Sequence, residues 1–223
     1  MTGVPDWLRS LVAAAGSPQS EQLSWLRTLP AGGRESAVLV LFGESDHGPD
    51  LLLIERSAAL RSHAGQPAFP GGAADPTDDG PVATALREAR EETGLDPAGV
   101  DVLASWPRLA VPPSGFVVVP VLAWWRAPCV VGAVDPAEVA AVVRVPLAEL
   151  AEPANRGMVR HPSGRKGPAF EVGGLLVWGF TAALIDRLLA LGGWERPWLP
   201  GAPRELSAEV RLLAARTAPD RSS

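Results

Sequence analysis

The sequence predicts an α+β fold in which helices pack around one mixed β-sheet. Three observations carry this prediction: strand-length apolar runs occupy both halves of the chain, a helical segment lies between them, and a second apolar helix follows the last run. This order differs from the regular alternation of strands and helices that builds a parallel sheet. We assign this domain to residues 35–195, with a helical addition at 1–34 and a C-terminal helix and loose tail at 196–223.

The first half of the chain contains two expected helices and two expected strands. Apolar residues at helical spacing predict a helix at 5–15, and a short helix is expected at 22–29. The apolar runs 36–43 and 50–57 have strand length and flank a polar loop, which predicts a hairpin. Residues 75–81 are rich in Asp, Pro and Gly and indicate a turn.

The second half begins with the central helix, predicted at 82–93 because Gly94 is a favourable C-terminal stop. The other expected elements are strands at 100–111, 115–125 and 138–146, a short helix at 147–150, a hairpin at 158–177, a helix at 178–191 and an amphipathic helix at 204–216. Bulky groups within 100–109 and 123–128 are expected at exposed strand edges, which predicts a homodimer.

Composition narrows the function classes. Hydrophobic residues make up 47% of the chain, enough for a buried core, and the net charge of −5 argues against a nucleic-acid partner. Cys129 is the single cysteine, which excludes an intrachain disulfide and a four-cysteine metal site. The chain start does not resemble a secretory signal, and no stretch of about 18 uncharged apolar residues occurs. We therefore expect no membrane partner and a cytoplasmic protein.

Three glutamates share one side of the predicted central helix. Glu88, Glu91 and Glu92 stand at i, i+3 and i+4, while Ala85 and Ala89 on the opposite side suit packing on a sheet. Like charges at this spacing disfavour one another, and clustered carboxylate oxygens are ligands that Mg²⁺ prefers. The alternative is a solvated helix face on which neighbouring arginines pair with the glutamates.

Residues 72–95 resemble the Nudix box of the hydrolases that act on nucleoside diphosphates linked to another moiety. The second half, "REAREETGL" from Arg87, matches the box except that the small Ala89 stands where a larger apolar residue is usual. The first half is one residue longer than usual, and an aspartate replaces the expected glutamate: Asp75, Asp78 or Asp79. The resemblance implies the family's α/β/α sandwich around a mixed sheet.

Residues 52–72, "LLIERSAALRSHAGQPAFPGG", are similar to the upstream signature of the coenzyme A pyrophosphatase branch of this family. Ile54 replaces a threonine, and that branch also tends to have the longer box with aspartates in the spacer. With weaker similarity downstream, the resemblance covers most of residues 35–192. The positions in register are Arg56, Ser57, Arg61, Gly65, Phe69, Pro70, Gly71 and Gly72.

The resemblance implies hydrolysis of a pyrophosphate bond with Mg²⁺ or Mn²⁺ as cofactor. The expected substrate is a small nucleotide, coenzyme A or an acyl-coenzyme A, giving 3′,5′-ADP and 4′-phosphopantetheine. ADP-ribose, dinucleotides and nucleoside triphosphates remain alternatives because the substrate pocket lies outside the box. A Nudix-fold binding module without turnover is a further alternative.

The resemblance also implies roles for the box residues. Glu88 and Glu92 are the expected metal ligands, and Glu91 is a third ligand or a bridge to a second metal. The Gly72 carbonyl is a further candidate ligand, since glycine permits close backbone approach. Arg87 is expected to hold a carboxylate of the cluster by ion pairing.

Phosphate contacts are expected from Arg56 and Arg61, whose guanidinium groups suit bidentate binding. Phe69 and Gly71 of the same motif are also expected to contact substrate, and Gly71 would leave bare backbone beside the diphosphate. His63 is either a phosphate contact or a loop histidine. The basic pair at 165–166 either meets a 3′-phosphate or forms a solvated hairpin tip.

The general base is left open between two glutamates. Glu91 belongs to the helix, and Glu138 opens the strand expected at 138–146. Asp135 is a less favoured third candidate.

Overall fold

A computed structural model of the chain describes residues 3–15, 33–60, 63–111, 115–161 and 164–215. The helix expected at 22–29 lies outside these residues. The helices are α1 (Arg9–Ala15), α2 (Gly80–Thr93), α3 (Leu147–Ala151), α4 (Gly179–Gly192) and α5 (Ala208–Ala215). The strands are β1 (Arg34–Ser45), β2 (Gly48–Arg56), β3 (Pro67–Ala68), β4 (Gly71–Ala73), β5 (Val100–Ser105), β6 (Leu109–Val111), β7 (Phe116–Trp125), β8 (Val139–Pro146), β9 (Arg156–Arg160), β10 (Lys166–Val172), β11 (Leu175–Val177) and β12 (Arg204–Glu205).

The larger of the two sheets described is mixed, as the sequence predicts. Its main path runs β3-β2-β1-β7-β5, with β4 beside β1, β6 beside β7 and β8 beside β2. Strands β1 and β7 are parallel, whereas the other neighbouring strands on this path and beside it run antiparallel. The expected hairpin between β1 and β2 closes with Ser45 opposite Gly48.

Helices cover both faces of this sheet, which confirms the predicted α/β/α sandwich. Alternate side chains of β1 point to opposite sides. Leu39 and Leu41 pack in one core cluster with Ala85 and Ala89 of α2. Phe42 packs in the other cluster, against α1 and α4. The continuous apolar run of β1 is therefore explained by burial on both faces.

A smaller sheet, ordered β11-β10-β9-β12, replaces the single hairpin expected at 158–177. Gly173 and Gly174 have φ angles of 57° and 75°, in the left-handed region that glycine adopts without strain. They reverse the chain a second time, so β11 returns antiparallel to β10 as a third strand. Strand β12 then adds in parallel beside β9.

Three further expectations are wrong at element boundaries. The run 100–111 is divided into β5 and β6, with the buried Trp106 in the interruption. Helix α4 begins one residue later than predicted, because the backbone of Trp178 is extended, with φ −150° and ψ 179°. The tail helix begins at Ala208, because the residues before it pair with β9 as β12.

The tryptophans expected at exposed strand edges are buried. Trp106, Trp124 and Trp125 are 4%, 9% and 1% exposed, and Trp124 stacks edge-on against Trp7 beside α1. These side chains therefore do not support the expected homodimer, which stays a prediction. Within the described ranges, no helix has the length and apolar character needed to cross a membrane.

Candidate active site

Two adjacent glycines bring the backbone of β4 against both β1 and α2. Gly71 pairs with Val38 of β1, and a Cβ added to it would lie 2.3 Å from the Ala37 carbonyl oxygen. A Cβ on Gly72 would lie 2.5 Å from the carboxyl carbon of Glu88. No side chain fits at either position without movement, so the glycines permit a close approach between backbone and carboxylate.

Glu92 is the most deeply buried of the three glutamates, with 6% of its side chain exposed. The Gly71 N–H donates to its Oε2 at 2.9 Å, and Nη1 of Arg56 donates to its Oε1 at 3.3 Å. Burial raises the pKa of Glu92 to about 7, an effect that the Gly71 N–H and the Arg56 charge partly offset. The site therefore holds a carboxylate whose negative charge is incompletely neutralised.

Glu88 and Glu91 share one arginine nitrogen. Nη1 of Arg87 donates to Oε1 of Glu88 and to Oε2 of Glu91, each at 3.0 Å. The Glu88 side chain is 19% exposed and that of Glu91 is 52% exposed. Burial raises the pKa of Glu88 despite its contact with Arg87. The three glutamates thus lie on one side of α2 but meet different surroundings.

Arg87 is held from its other edge by Asp78. Nε and Nη2 donate to the two Asp78 carboxylate oxygens at 2.9 Å each, and Nη2 also donates to the Ala73 carbonyl at 3.1 Å. The guanidinium group keeps the pKa of Asp78 well below its ordinary value. The sequence identified three spacer aspartates without distinguishing them, and the structure brings Asp78 to the arginine.

The loop after β2 folds back onto Arg56. The Arg56 N–H donates to the Gln66 carbonyl at 3.1 Å, and the Gly65 N–H donates to the Arg56 carbonyl at 3.0 Å. His63 lies in this loop with φ 53°, its ring nitrogen 3.1 Å from Gln66 Oε1, and burial lowers its pKa. Arg61, expected to bind phosphate, lies outside the described residues.

Glu138 lies beside Ser57, the residue that follows β2. Its carbonyl accepts from the Ser57 N–H at 2.8 Å, and its charge contributes to the raised pKa of Glu92. Asp135 instead stabilises the preceding turn, since its Oδ1 accepts from the Ala137 N–H at 2.8 Å.

Other residues singled out by sequence take different positions. Phe69, expected to contact substrate, is 2% exposed within the core cluster shared by α1 and α4. Its side chain contributes to packing, although its motif neighbours reach the carboxylates. Lys166 is exposed, and Arg165 beside it accepts at its carbonyl from the His161 N–H, which agrees with a solvated hairpin tip.

The donor set suits a divalent cation of the magnesium type. The described residues contain no group of three or more His, Cys, Asp or Glu side chains that converge as a ready-made metal cage. Mg²⁺ does not require one, because it retains waters and takes one or two carboxylates together with substrate phosphates. The carboxylates of Glu88 and Glu92, with the Gly72 backbone against Glu88, supply hard oxygen donors of this kind.

Comparison with known proteins agrees with this architecture. A family model described as the NUDIX domain matches residues 24–162. A Cronobacter sakazakii protein named "Uncharacterized Nudix hydrolase NudL" is 42% identical over 179 residues, covering 74% of this chain and 85% of the relative. A Photorhabdus laumondii protein of the same name is 41% identical over 145 residues, covering 63% and 75%.

Among solved structures, the Nudix hydrolase RenU from M. smegmatis aligns with a TM-score of 0.52. The identity is 21%, over 75% of this chain and 90% of that one, so the likeness concerns the fold. The chain belongs to the NUDIX family and is a Nudix hydrolase.

Proposed function

We propose that this hydrolase cleaves the pyrophosphate bond of coenzyme A or its thioesters, using Mg²⁺ or Mn²⁺, to give 3′,5′-ADP and 4′-phosphopantetheine. The observation that carries the proposal is contact between the upstream motif, residues 52–72, and the helix of the Nudix box. Arg56 and Gly71 of the upstream motif both donate to Glu92 of the helix. The signature resembling the coenzyme A branch therefore borders the carboxylates, where a substrate diphosphate would lie.

The helix would supply the metal ligands. Glu88 and Glu92 are the proposed carboxylate ligands, with the Gly72 carbonyl and Glu91 as further donors. A bound metal offsets negative charge on the phosphoryl oxygens and lowers the pKa of a bound water. Arg87 keeps Glu88 and Glu91 oriented through its shared nitrogen.

Glu138 is the preferred general base. Oε2 of Glu91 already accepts from Nη1 of Arg87 at 3.0 Å, so one of its two carboxylate oxygens is engaged in an ion pair. Glu138 is exposed and forms no ion pair or side-chain hydrogen bond with another described residue. Its carboxylate would take the proton of the attacking water, while Arg56 and Arg61 bind phosphate oxygens.

A substrate panel tests the proposal. The purified full chain is incubated with Mg²⁺ or Mn²⁺ and coenzyme A, acetyl-coenzyme A, ADP-ribose, NADH or a nucleoside triphosphate, and the products are separated by HPLC. We expect 3′,5′-ADP from the coenzyme A substrates with the highest kcat/KM. Faster cleavage of ADP-ribose, NADH or a triphosphate would reassign the substrate.

Two matched variants test the site itself. Glu88→Gln removes a ligand charge and should lower kcat at least about a hundredfold. Glu149→Gln removes an exposed carboxylate on α3 and should leave kcat unchanged. Equal rates in wild type and Glu88→Gln at saturating Mg²⁺ would refute the ligand assignment.

A further inference from the structure

Arg56 contacts Oε1 of Glu92, the carboxylate oxygen that does not accept from the Gly71 N–H. Oε2 of Glu92 accepts from the Gly71 N–H at 2.9 Å, whereas Oε1 accepts from Nη1 of Arg56 at the longer distance of 3.3 Å. With 6% of its side chain exposed, Glu92 has little access to solvent charge screening. Arg56 is thus its nearest counterion.

A metal on the same carboxylate would compete with this contact. Mg²⁺ lies about 2.1 Å from its oxygen ligands, so a metal on Oε1 would come close to the guanidinium group. Two cations at such separation repel strongly where water is largely excluded. Arg56 and a metal would therefore not share Oε1 in the present geometry.

The surroundings of Arg56 allow its side chain to leave Glu92. Its backbone is fixed on both sides by the hydrogen bonds with Gln66 and Gly65, but 26% of its side chain is exposed. Its Nε is buried and has no hydrogen-bond partner among the described residues. A phosphate group that accepted from the guanidinium in a bidentate manner would satisfy donors that Glu92 does not use.

We infer that Arg56 is an exchangeable counterion, which pairs with Glu92 in the metal-free protein and transfers to a substrate phosphate when the metal binds. This inference rests on the proposed metal site at Glu92. Metal binding and phosphate binding would then favour each other. A metal on Glu92 releases Arg56 for phosphate, and a phosphate on Arg56 frees Glu92 for the metal. The coupling is reciprocal, so it can be measured from the metal side.

The experiment measures Mn²⁺ affinity from the electron paramagnetic resonance signal of unbound Mn²⁺, with and without AMP as a phosphate probe. Affinities are corrected for the weak Mn²⁺ complex of AMP itself. AMP should tighten Mn²⁺ binding to the wild type by at least about fivefold. Arg56→Gln alone should bind Mn²⁺ at least about fivefold more tightly than the wild type, with a smaller AMP effect.

Two other variants separate this exchange from general charge effects. Arg56→Lys keeps the positive charge and should behave more like the wild type. Arg90→Gln removes an exposed positive charge from α2, the helix that carries Glu92. It should change Mn²⁺ affinity less than Arg56→Gln does. Circular dichroism during thermal unfolding verifies that each variant is folded.

The outcomes distinguish the inference from the proposed function. Mn²⁺ binding by the wild type without any AMP effect overturns the exchange, whatever the variants do. Equal Mn²⁺ affinities of Arg56→Gln and Arg90→Gln also overturn it, and pyrophosphate hydrolysis would still stand. No Mn²⁺ binding by the wild type, together with no metal-dependent hydrolysis, would instead remove the proposed function.

Discussion

Arg87 and Asp78 form a two-point ion pair, in which Nε and Nη2 each donate to a different carboxylate oxygen at 2.9 Å. The third nitrogen of Arg87 remains directed at Glu88 and Glu91. Asp78 is itself held by Thr84, whose hydroxyl donates to Oδ2 at 2.9 Å. The spacer aspartate therefore fixes the arginine, and the arginine orients two carboxylates of the helix.

Asp78→Asn should lower kcat by about ten- to a hundredfold, as loss of a group that orients metal ligands typically does. The asparagine retains the shape but loses the charge that holds Arg87. Asp79→Asn is the matched control, because Asp79 precedes α2 without a side-chain capping hydrogen bond. Steady-state kinetics check the prediction, and equal kcat values for the two variants would contradict it.

Gly71→Ala should mainly lower stability, whereas Gly72→Ala should mainly lower activity. At Gly71 the added Cβ meets backbone atoms of β1, with the Ala37 oxygen at 2.3 Å, so the sheet must move and stability should fall by about 2 kcal/mol or more. At Gly72 the Cβ meets the carboxylate of Glu88 at 2.5 Å, the end of a side chain that can turn away. Gly72→Ala should therefore lower kcat at least about tenfold with a smaller loss of stability.

A double-mutant comparison tests the second half of this prediction. In a Glu88→Gln background the carboxylate charge is already missing, so Gly72→Ala should lower kcat much less than in the wild type. Chemical denaturation and kinetics on the four proteins provide the two readouts. Independent, multiplicative effects on kcat would mean that Gly72 acts through something other than Glu88.

The stability of the metal-free protein should depend on Glu92. Burial raises the pKa of Glu92 to about 7 from an ordinary value of 4.5. A carboxyl group with a higher pKa in the folded than in the unfolded chain contributes stability at low pH, and this is lost as pH rises through the folded value. Between about pH 5 and pH 8 the wild type should lose on the order of 3 kcal/mol relative to Glu92→Gln.

Urea unfolding with a metal chelator, at both pH values, measures this difference. Mg²⁺ should restore the stability of the wild type at the higher pH and should affect Glu92→Gln less. Parallel pH dependences for the two proteins would show that Glu92 is ionised without cost in the folded chain.

Arg61→Ala tests the substrate assignment. If Arg61 binds phosphate, kcat/KM for coenzyme A should fall about ten- to a hundredfold, since a charge-assisted bond contributes roughly 1.5–3 kcal/mol. The melting temperature should change little. A smaller effect on 3′-dephospho-coenzyme A would assign Arg61 to the 3′-phosphate, and an equal effect would assign it to the pyrophosphate. Lost stability with full activity would give the residue a structural role.

The sequence predicted the central helix closely because its signals are local. The predicted segment 82–93 becomes Gly80–Thr93, and Gly94 ends it in the left-handed conformation with φ 71°. Helical spacing also gave the shared side of the three glutamates. It did not reveal that Glu92 is 6% exposed while Glu91 is 52% exposed, because that difference depends on β4 and Arg56, which are distant in sequence.

Short strands whose position depends on pairing with a neighbouring strand were harder to predict from the sequence. Strand β4 has three residues, and its position is set by pairing with β1 rather than by its own apolar pattern. Phe69 was expected near substrate because it belongs to the motif, but its aromatic side chain is largely removed from water on the opposite face of the sheet. Motif membership identified the segment, and alternation along the chain decided which side chains reach the site.

Arg56 pairs with Val139 in the ladder between β2 and β8, and Glu138 immediately precedes that rung. The proposed phosphate-binding residue, Arg56, and the proposed general base, Glu138, therefore lie on one antiparallel ribbon, while the proposed metal ligands lie on a helix. Main-chain hydrogen bonds between the two strands set the spacing of Arg56 and Glu138, and the side chains of α2 do not. For enzyme redesign, substrate recognition would be varied at ribbon positions other than Arg56, because its contact with Glu92 links the ribbon to the helix.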